Sequence, residues 1–283
     1  MTNGCPVCDH AAVAEFRMVA GYRYFSCHGC HSIFIDPEVI SEIDLGRALV
    51  KYSDQYWKNE LAASAERSYG AALARVAEVF LYARRPIDRF IDIGTGPGYL
   101  LDALSGLLPA CSNKFFGIEL YPPPRHSSHP NYRVGDITDF PLAFDAGVCI
   151  EVLEHLTPRM ARSLFAKLAS RSAKEAIYIF NTGLPDYVVN EDPDYLDPLG
   201  RGHIVSYGLP GVARMAGQFG FCVRPIPGKA WAFVLEYRSP RAPDEDVRSR
   251  IWDPCPSNVE TLKDPVMGQV LYYLGLETAR AYG

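Results

Sequence analysis

The sequence lacks several features that would classify a chain at once. No apolar run in its 283 residues approaches the ~20 needed to cross a bilayer, and the opening MTNGCPVCDH has no basic stretch followed by an apolar core. These absences argue against a membrane span and a secretory leader, and they set the expectation of a cytoplasmic protein. Runs of lysine or arginine never exceed a pair and the net charge is −5, so the electrostatic footprint of a nucleic-acid or membrane-surface binder is missing. No Gly-Lys-Ser/Thr follows the glycine-rich turn at residues 94–98, which excludes an ATPase-type phosphate loop.

What is present is ordinary for a globular protein. Hydrophobic residues make up 48% and charged residues 22%, and a chain of this length buries roughly three quarters of its unfolded surface. Tyrosine (17) and phenylalanine (14) supply aromatic material for a pocket.

Four of the eight cysteines form two pairs, Cys5-Pro-Val-Cys8 and Cys27-His-Gly-Cys30, with 18 residues between Cys8 and Cys27. Two residues between thiolates let one tight turn aim both sulfurs at one ion, and two such turns complete a tetrahedron. A structural zinc held by Cys5, Cys8, Cys27 and Cys30 is the leading reading; iron in the same set, or disulfides or free thiols, are the alternatives. His10, His28 and His31 lie close enough in sequence to replace a cysteine, but solvated histidines beside a complete thiolate set is the simpler reading. The intervening FRMVAGYRYFS predicts a hairpin around Ala20-Gly21.

From Asp36 to Pro86 the pattern is mostly helical, with Leu73, Val76, Ala77 and Phe80 at helical spacing. Before them, KYSDQYWKNE gathers Tyr52, Tyr56 and Trp57, either as core or as an aromatic cover over a ligand.

Phe90-Ile91-Asp92-Ile93 then predicts a strand, Gly94-Thr95-Gly96-Pro97-Gly98 a turn, and Leu100, Leu101, Leu104, Leu107 and Leu108 a helix, the opening of a doubly wound sheet. Glycines let the backbone approach a ligand, and a helix N-terminus offers free N–H donors. A dinucleotide fingerprint would need Gly or Ala after Gly98, where Tyr99 stands. KFFGIELY predicts a second strand ending in Glu119, 25 residues after Gly94, placed to accept hydrogen bonds from ribose hydroxyls. NYRVGDITDF predicts a third ending at Asp136, and FDAGVCIEVLEHL a fourth followed by Glu151, Glu154 and His155. Acids thus recur at the carboxyl ends of successive strands, where open α/β sheets bind ligands.

In these motifs the sequence resembles a class I S-adenosylmethionine-dependent methyltransferase: DIGTGPG for the methionine part, Glu119 for the ribose, GDITD near the adenine, and EVLEHL after strand four. The likeness covers residues 86–237. The cysteine pairs resemble the zinc ribbon that precedes this domain in a broad bacterial group often associated with sugars, polysaccharides or secondary metabolites. The resemblance implies a Rossmann-like seven-stranded α/β sheet with helices on both faces, its last two strands an antiparallel hairpin, after a small zinc-ribbon module. It implies S-adenosyl-L-methionine held by Asp92, Gly94, Thr95, Gly96, Gly98, Tyr99, Glu119, Asp136, Ile137 and Glu151. The domains would be the ribbon (1–36), a helical connector and pocket cover (37–85), the cofactor domain (86–240) and a C-terminal linker and helix (241–283). Two departures stand out: Thr95 occupies a position usually Cys or Ser, and the proline-rich YPPPRHSSHP leaves the adenine-side contact from strand two open.

Methyl transfer from a sulfonium needs alignment of nucleophile, carbon and sulfur, and a hydroxyl nucleophile needs a base as well. His155 and His203 are the candidates, with a structural role as the alternative for each. The segment GLPDYVVNEDPDYLDPLGR reads as an acceptor-binding lid, with Tyr187 and Tyr195 as wall residues and Tyr56 as a further acceptor-binding candidate; an ordinary solvated loop is the alternative. Val266, Val270, Tyr273 and Leu274 line a terminal amphipathic helix that would face either its own chain or a second copy in a homodimer. The expectation is methyl transfer to a small-molecule hydroxyl, of a sugar or natural-product intermediate. An RNA or protein methyltransferase docking through the ribbon, and a non-catalytic relative, are the alternatives.

Overall fold

The computed structural model describes residues 4–47, 54–240 and 245–265, with residues 268 and 272, and for residues 54–60 the backbone only. Tyr52, the side chains of Tyr56 and Trp57, and Val266, Val270, Tyr273 and Leu274 fall outside these described parts.

β1 (Val13–Val19) and β2 (Tyr22–Cys27) form the expected hairpin, with Ala20 and Gly21 at φ of +50° and +85° in the turn. Positive φ at both positions gives a turn whose twist matches the flanking strands. β3 (Ile33–Ile35) pairs antiparallel with β2. α1 (Pro37–Asp44) begins where Asp36 accepts from the Glu38 N–H, with Pro37 at the first helical position, where no N–H is missed. α2 (Asp54–Ser68) and α3 (Ala71–Tyr82) follow. In α3 the stripe of Leu73, Val76, Ala77 and Phe80 is buried, and Ala72, Ala74 and Val79 are buried too, so the helix is enclosed nearly all round.

β4 (Phe90–Ile93) leads through the glycine turn into α4 (Tyr99–Leu107), then to β5 (Phe115–Glu119), β6 (Tyr132–Val134) and β7 (Phe144–Ile150). α5 (Pro158–Ser170) is capped by Thr157, whose hydroxyl accepts from the Met160 N–H, and returns to β8 (Ser172–Asn181). The segment read as an acceptor-binding lid, residues 183–201, contains α6 (Pro185–Asn190), and β9 (Val205–Ser206) follows it. α7 (Leu209–Gly217), β10 (Phe221–Pro225), β11 (Ala232–Tyr237) and α8 (Pro256–Leu262) complete the chain as described.

The main sheet runs β6-β5-β4-β7-β8-β11-β10, with five parallel strands and an antiparallel β11/β10 hairpin at one edge. This is the seven-stranded doubly wound α/β sheet expected. Side chains alternate across each strand and so feed two cores. Phe90, Phe115, Val148 and Ile179 face the core built with α3, α4 and α8, whereas Ile91, Ile118, Cys149 and Phe180 face one shared with α5, α7 and the cysteine module. Each such fully buried side chain contributes roughly 1.5–3 kcal/mol.

The N-terminal strands are continuous with this body: β9 pairs with β3, placing Val205 opposite Phe34 and Ser206 opposite Ile33 in a four-stranded sheet. Tyr24, fully buried, donates its hydroxyl to the His203 carbonyl at 2.7 Å. At the far edge of the main sheet, buried Glu236 accepts from both Arg224 and Arg250, and Arg250 also pairs with Glu245, fastening the segment after β11 to the sheet. No helix among the described residues is long and apolar enough to cross a membrane.

Candidate active site

The order of strands reverses between β4 and β7, and at their carboxyl ends the predicted residues gather. Gly94, Gly96 and Gly98 all take positive φ, +72°, +54° and +85°. A Cβ on Gly94 would stand 2.4 Å from a Val152 methyl, and one on Gly98 2.6 Å from Ser127 Cβ, so both glycines are needed for packing. A Cβ on Gly96 would meet nothing within 4 Å; this glycine borders open space. Gly96 N–H donates to Glu119 Oε2 and Tyr121 N–H to Oε1, both at 2.8 Å. Each oxygen keeps a further lone pair for a ligand. Tyr132, not among the residues predicted for the site, donates its hydroxyl to the Gly96 carbonyl at 2.7 Å and steadies the loop from β6. Tyr99 is the first residue of α4 and is partly buried.

Asp92 lies beneath the loop, accepting from the Thr95 hydroxyl at 2.6 Å. Burial pushes its carboxyl up to about 7, reinforced by the charge of Glu119 and opposed by the Thr95 bond. The raised value fixes the sign of its linkage. Between about pH 4 and 7 the folded chain holds a proton that the unfolded chain has lost, so this group's contribution to stability falls by a few kcal/mol as pH rises through that window. Asp92→Asn should therefore melt above the parent protein at about pH 8, with the gap closing toward pH 5. A gap independent of pH in thermal melts would contradict the assignment.

Asp136 and Ile137 sit after β6. Asp136 Oδ1 accepts from the Thr138 N–H and hydroxyl, and Oδ2 from Lys167 at 2.6 Å. Burial raises its carboxyl, but the Lys167 ammonium and the Thr138 bonds outweigh it and hold the group below the usual carboxylate range. The Ile137 side chain is buried in the core.

After β7 the chain turns at Glu151, a non-glycine at φ +53° whose N–H donates to the Asn181 carbonyl and whose Oε1 accepts from Asn181 Nδ2. Burial, with Glu154 beside it, pushes Glu151 up to about 8. Glu154 is fully buried, and its carboxyl is likewise raised by burial. Neither Glu154 oxygen has a hydrogen-bond partner, although the hydroxyls of Thr182 and Tyr195 lie near enough to favour its charge.

His155 and His203, 48 positions apart, meet here with ring centroids 4.8 Å apart. Their Nε2 atoms stand 4.0 and 3.8 Å from Glu154 Oε1. Nδ1 of His155 lies 3.1 Å from the Gly202 carbonyl and Nδ1 of His203 lies 2.7 Å from that of Tyr195. A carbonyl only accepts, so Nδ1 carries the proton in each neutral ring and Nε2 is the acceptor. Burial, with His155 adjacent, lowers His203 to about 3 and keeps it neutral. Glu154 was visible in EVLEHL, but its role as the centre of this group was not. Tyr195 is buried, its hydroxyl accepting from the Gly183 N–H at 2.8 Å, while partly buried Tyr187 packs edge-on against it and against Trp231.

The four N-terminal cysteines are brought together as the spacing predicts, all buried, with Cys5 and Cys30 sulfurs 3.7 Å apart and those of Cys8 and Cys27 3.6 Å apart. A disulfide would need ~2.05 Å. Four sulfurs at ~2.3 Å from a common centre stand ~3.75 Å apart, so the donor set fits a tetrahedral ion. The Cys5 thiol, hydrogen-bonded to Cys30, holds Cys30 down to about 4 and is itself raised. Gly29 N–H donates to Cys27 Sγ, a knuckle contact that stabilises thiolate charge.

No protein-family model and no curated protein matches the sequence. Among solved structures, Streptomyces venezuelae DesVI is 13% identical, with 67% of this chain and 100% of that one covered and a TM-score of 0.48. CalS10, a SAM-bound amino pentose methyltransferase from Micromonospora echinaspora involved in calicheamicin biosynthesis, is 22% identical over 46% of this chain and 57% of its own, with a TM-score of 0.34. The sugar N-methyltransferase KedS8 from Streptoalloteichus is 16% identical over 60% and 88%, with a TM-score of 0.43. Likeness at this level concerns the course of the chain, and a functional reading rests on the residues above.

Proposed function

We propose that the protein is an S-adenosylmethionine-dependent methyltransferase acting on a small-molecule acceptor, a hydroxyl of a sugar or natural-product intermediate. The observation that carries this reading is the loop at Gly96, open to solvent on the side where a Cβ would project, with the Glu119 carboxylate fixed at its rim by two backbone N–H groups. S-adenosylmethionine supplies an electrophilic methyl on its sulfonium. The chain supplies the rest: Gly94, Thr95, Gly96, Gly98 and Tyr99 cradle the methionine half over buried Asp92, Glu119 accepts from the ribose hydroxyls, and Asp136 and Ile137 border the adenine. Glu151, His155 and His203 form the reactive end, with His155 and His203 as the candidate proton acceptors through Nε2, since each turns Nδ1 to a backbone carbonyl, and Tyr187 and Tyr195 border the acceptor. Zinc occupies the four-cysteine cluster in a structural role, because the thiolates leave no open position. The division at residues 36, 85 and 240 and a cytoplasmic location complete the proposal.

The test is Glu119→Ala with calorimetric titration of S-adenosylhomocysteine. Loss of the charge-assisted ribose bonds should weaken binding about 10- to 100-fold. Unchanged affinity would show that Glu119 does not meet the ribose.

A further inference from the structure

Native structures tolerate a buried carboxylate with both oxygens unsatisfied only where something compensates its lost hydration. Glu154 is 0% exposed, and neither oxygen makes a hydrogen bond of normal geometry, although the Thr182 and Tyr195 hydroxyls and Glu151 lie beside it. The two basic atoms that come within 4.0 Å of it among the described residues are Nε2 of His155 and Nε2 of His203. Each imidazole turns its Nδ1–H to a backbone carbonyl, that of Gly202 for His155 and of Tyr195 for His203. This is the outer hydrogen bond that ligating histidines use to fix the tautomer and aim the other nitrogen. The two nitrogens and the carboxylate oxygen all lie within 4.8 Å of one another. Ligands bound at ~2.1 Å around one ion stand ~3.0–3.5 Å apart at adjacent positions, so side-chain shifts of less than about 1 Å would close the set.

We propose that Glu154, His155 and His203 form a second metal site, separate from the cysteines, that takes one divalent first-row transition ion. Two imidazoles and a single carboxylate favour manganese, iron, cobalt or zinc over magnesium or calcium, which prefer oxygen ligands throughout. Three protein ligands leave coordination positions open, and His155 is the partly exposed member through which they reach solvent. The use of the ion rests on the methyltransferase reading: it binds the acceptor hydroxyl and lowers its pKa. The hydroxyl proton passes to water, the oxygen bonds to the methyl carbon, and the carbon–sulfur bond breaks with its electron pair left on S-adenosylhomocysteine. With the ion bound, Nε2 of each histidine is a ligand; without it, the same nitrogens are the proton acceptors proposed above.

The experiment is titration of the zinc-replete protein with Co(II), read by visible absorption and elemental analysis. The expected result is one cobalt per chain beyond the zinc, with weak d–d bands and no sulfur-to-cobalt charge transfer. Glu154→Gln and His155→Gln should each weaken cobalt binding at least about 100-fold while zinc content is kept. His155→Gln, at a partly exposed position, serves if the buried substitution disturbs folding. Absence of stoichiometric cobalt in the parent protein, sulfur charge-transfer bands alone, or full binding in His155→Gln overturns the site. S-adenosylhomocysteine titration is separate: cobalt bound without it would sink the methyltransferase reading and leave the site standing, and the reverse result would do the opposite.

Discussion

Gly96→Val should weaken S-adenosylhomocysteine binding by at least about 100-fold while leaving a folded protein, a loss of roughly 2.7 kcal/mol or more. The three glycines differ in what surrounds them. A side chain at Gly94 or Gly98 collides with Val152 or Ser127, so substitution there disturbs the fold and binding together. At Gly96 a Cβ meets no protein atom, and the folded state bears only the strain of a β-branched residue at φ +54°, about 1–2 kcal/mol. The valine methyls would then occupy the space proposed for the methionine half. The Gly96 N–H that anchors Glu119 would shift as well, adding to the loss. Calorimetric titration beside a thermal melt checks both halves; near-parental affinity in a folded Gly96→Val would mean that the ligand lies elsewhere.

Cys8→Ser should reduce zinc from one per chain to none and lower the melting temperature by on the order of 10 °C. The cysteine module has little core of its own. Its inward residues, Val7, Tyr24 and Phe34, share the core of the main sheet, and β3 pairs with β9 just after His203. Loss of the ion would loosen β3, free the Tyr24 hydrogen bond to the His203 carbonyl, and so reach the reactive end of the site. Elemental analysis and melting curves test this. A zinc-free variant that melts with the parent would show that the cluster contributes nothing to stability.

The sequence made legible what is local and periodic. The Ala20-Gly21 hairpin, the α3 stripe, the strand–glycine–helix opening and the recurrence of acids at strand ends all follow from short-range rules, and each sits where expected. The cysteine cluster was legible because two tight turns carry its geometry. What pattern could not give is contact between distant segments. β9 is two residues long and shows no alternation, so its pairing with β3 has no local signature. The meeting of Glu154, His155 and His203 depends on the carbonyls of Tyr195 and Gly202, backbone atoms that no residue identity encodes. Residues 185–190 form a helix because Pro185 starts it, a cue masked by the surrounding aspartates and prolines. Tyr132 belongs to the loop's support only once β6 is laid beside β5.

The most direct test of the account is calorimetric titration of the purified, zinc-replete protein with S-adenosylhomocysteine, using NAD as the control. The expected result is micromolar binding of S-adenosylhomocysteine and none of NAD, since Tyr99 replaces the small residue that a dinucleotide site requires. Binding of NAD, or of neither compound, would contradict it.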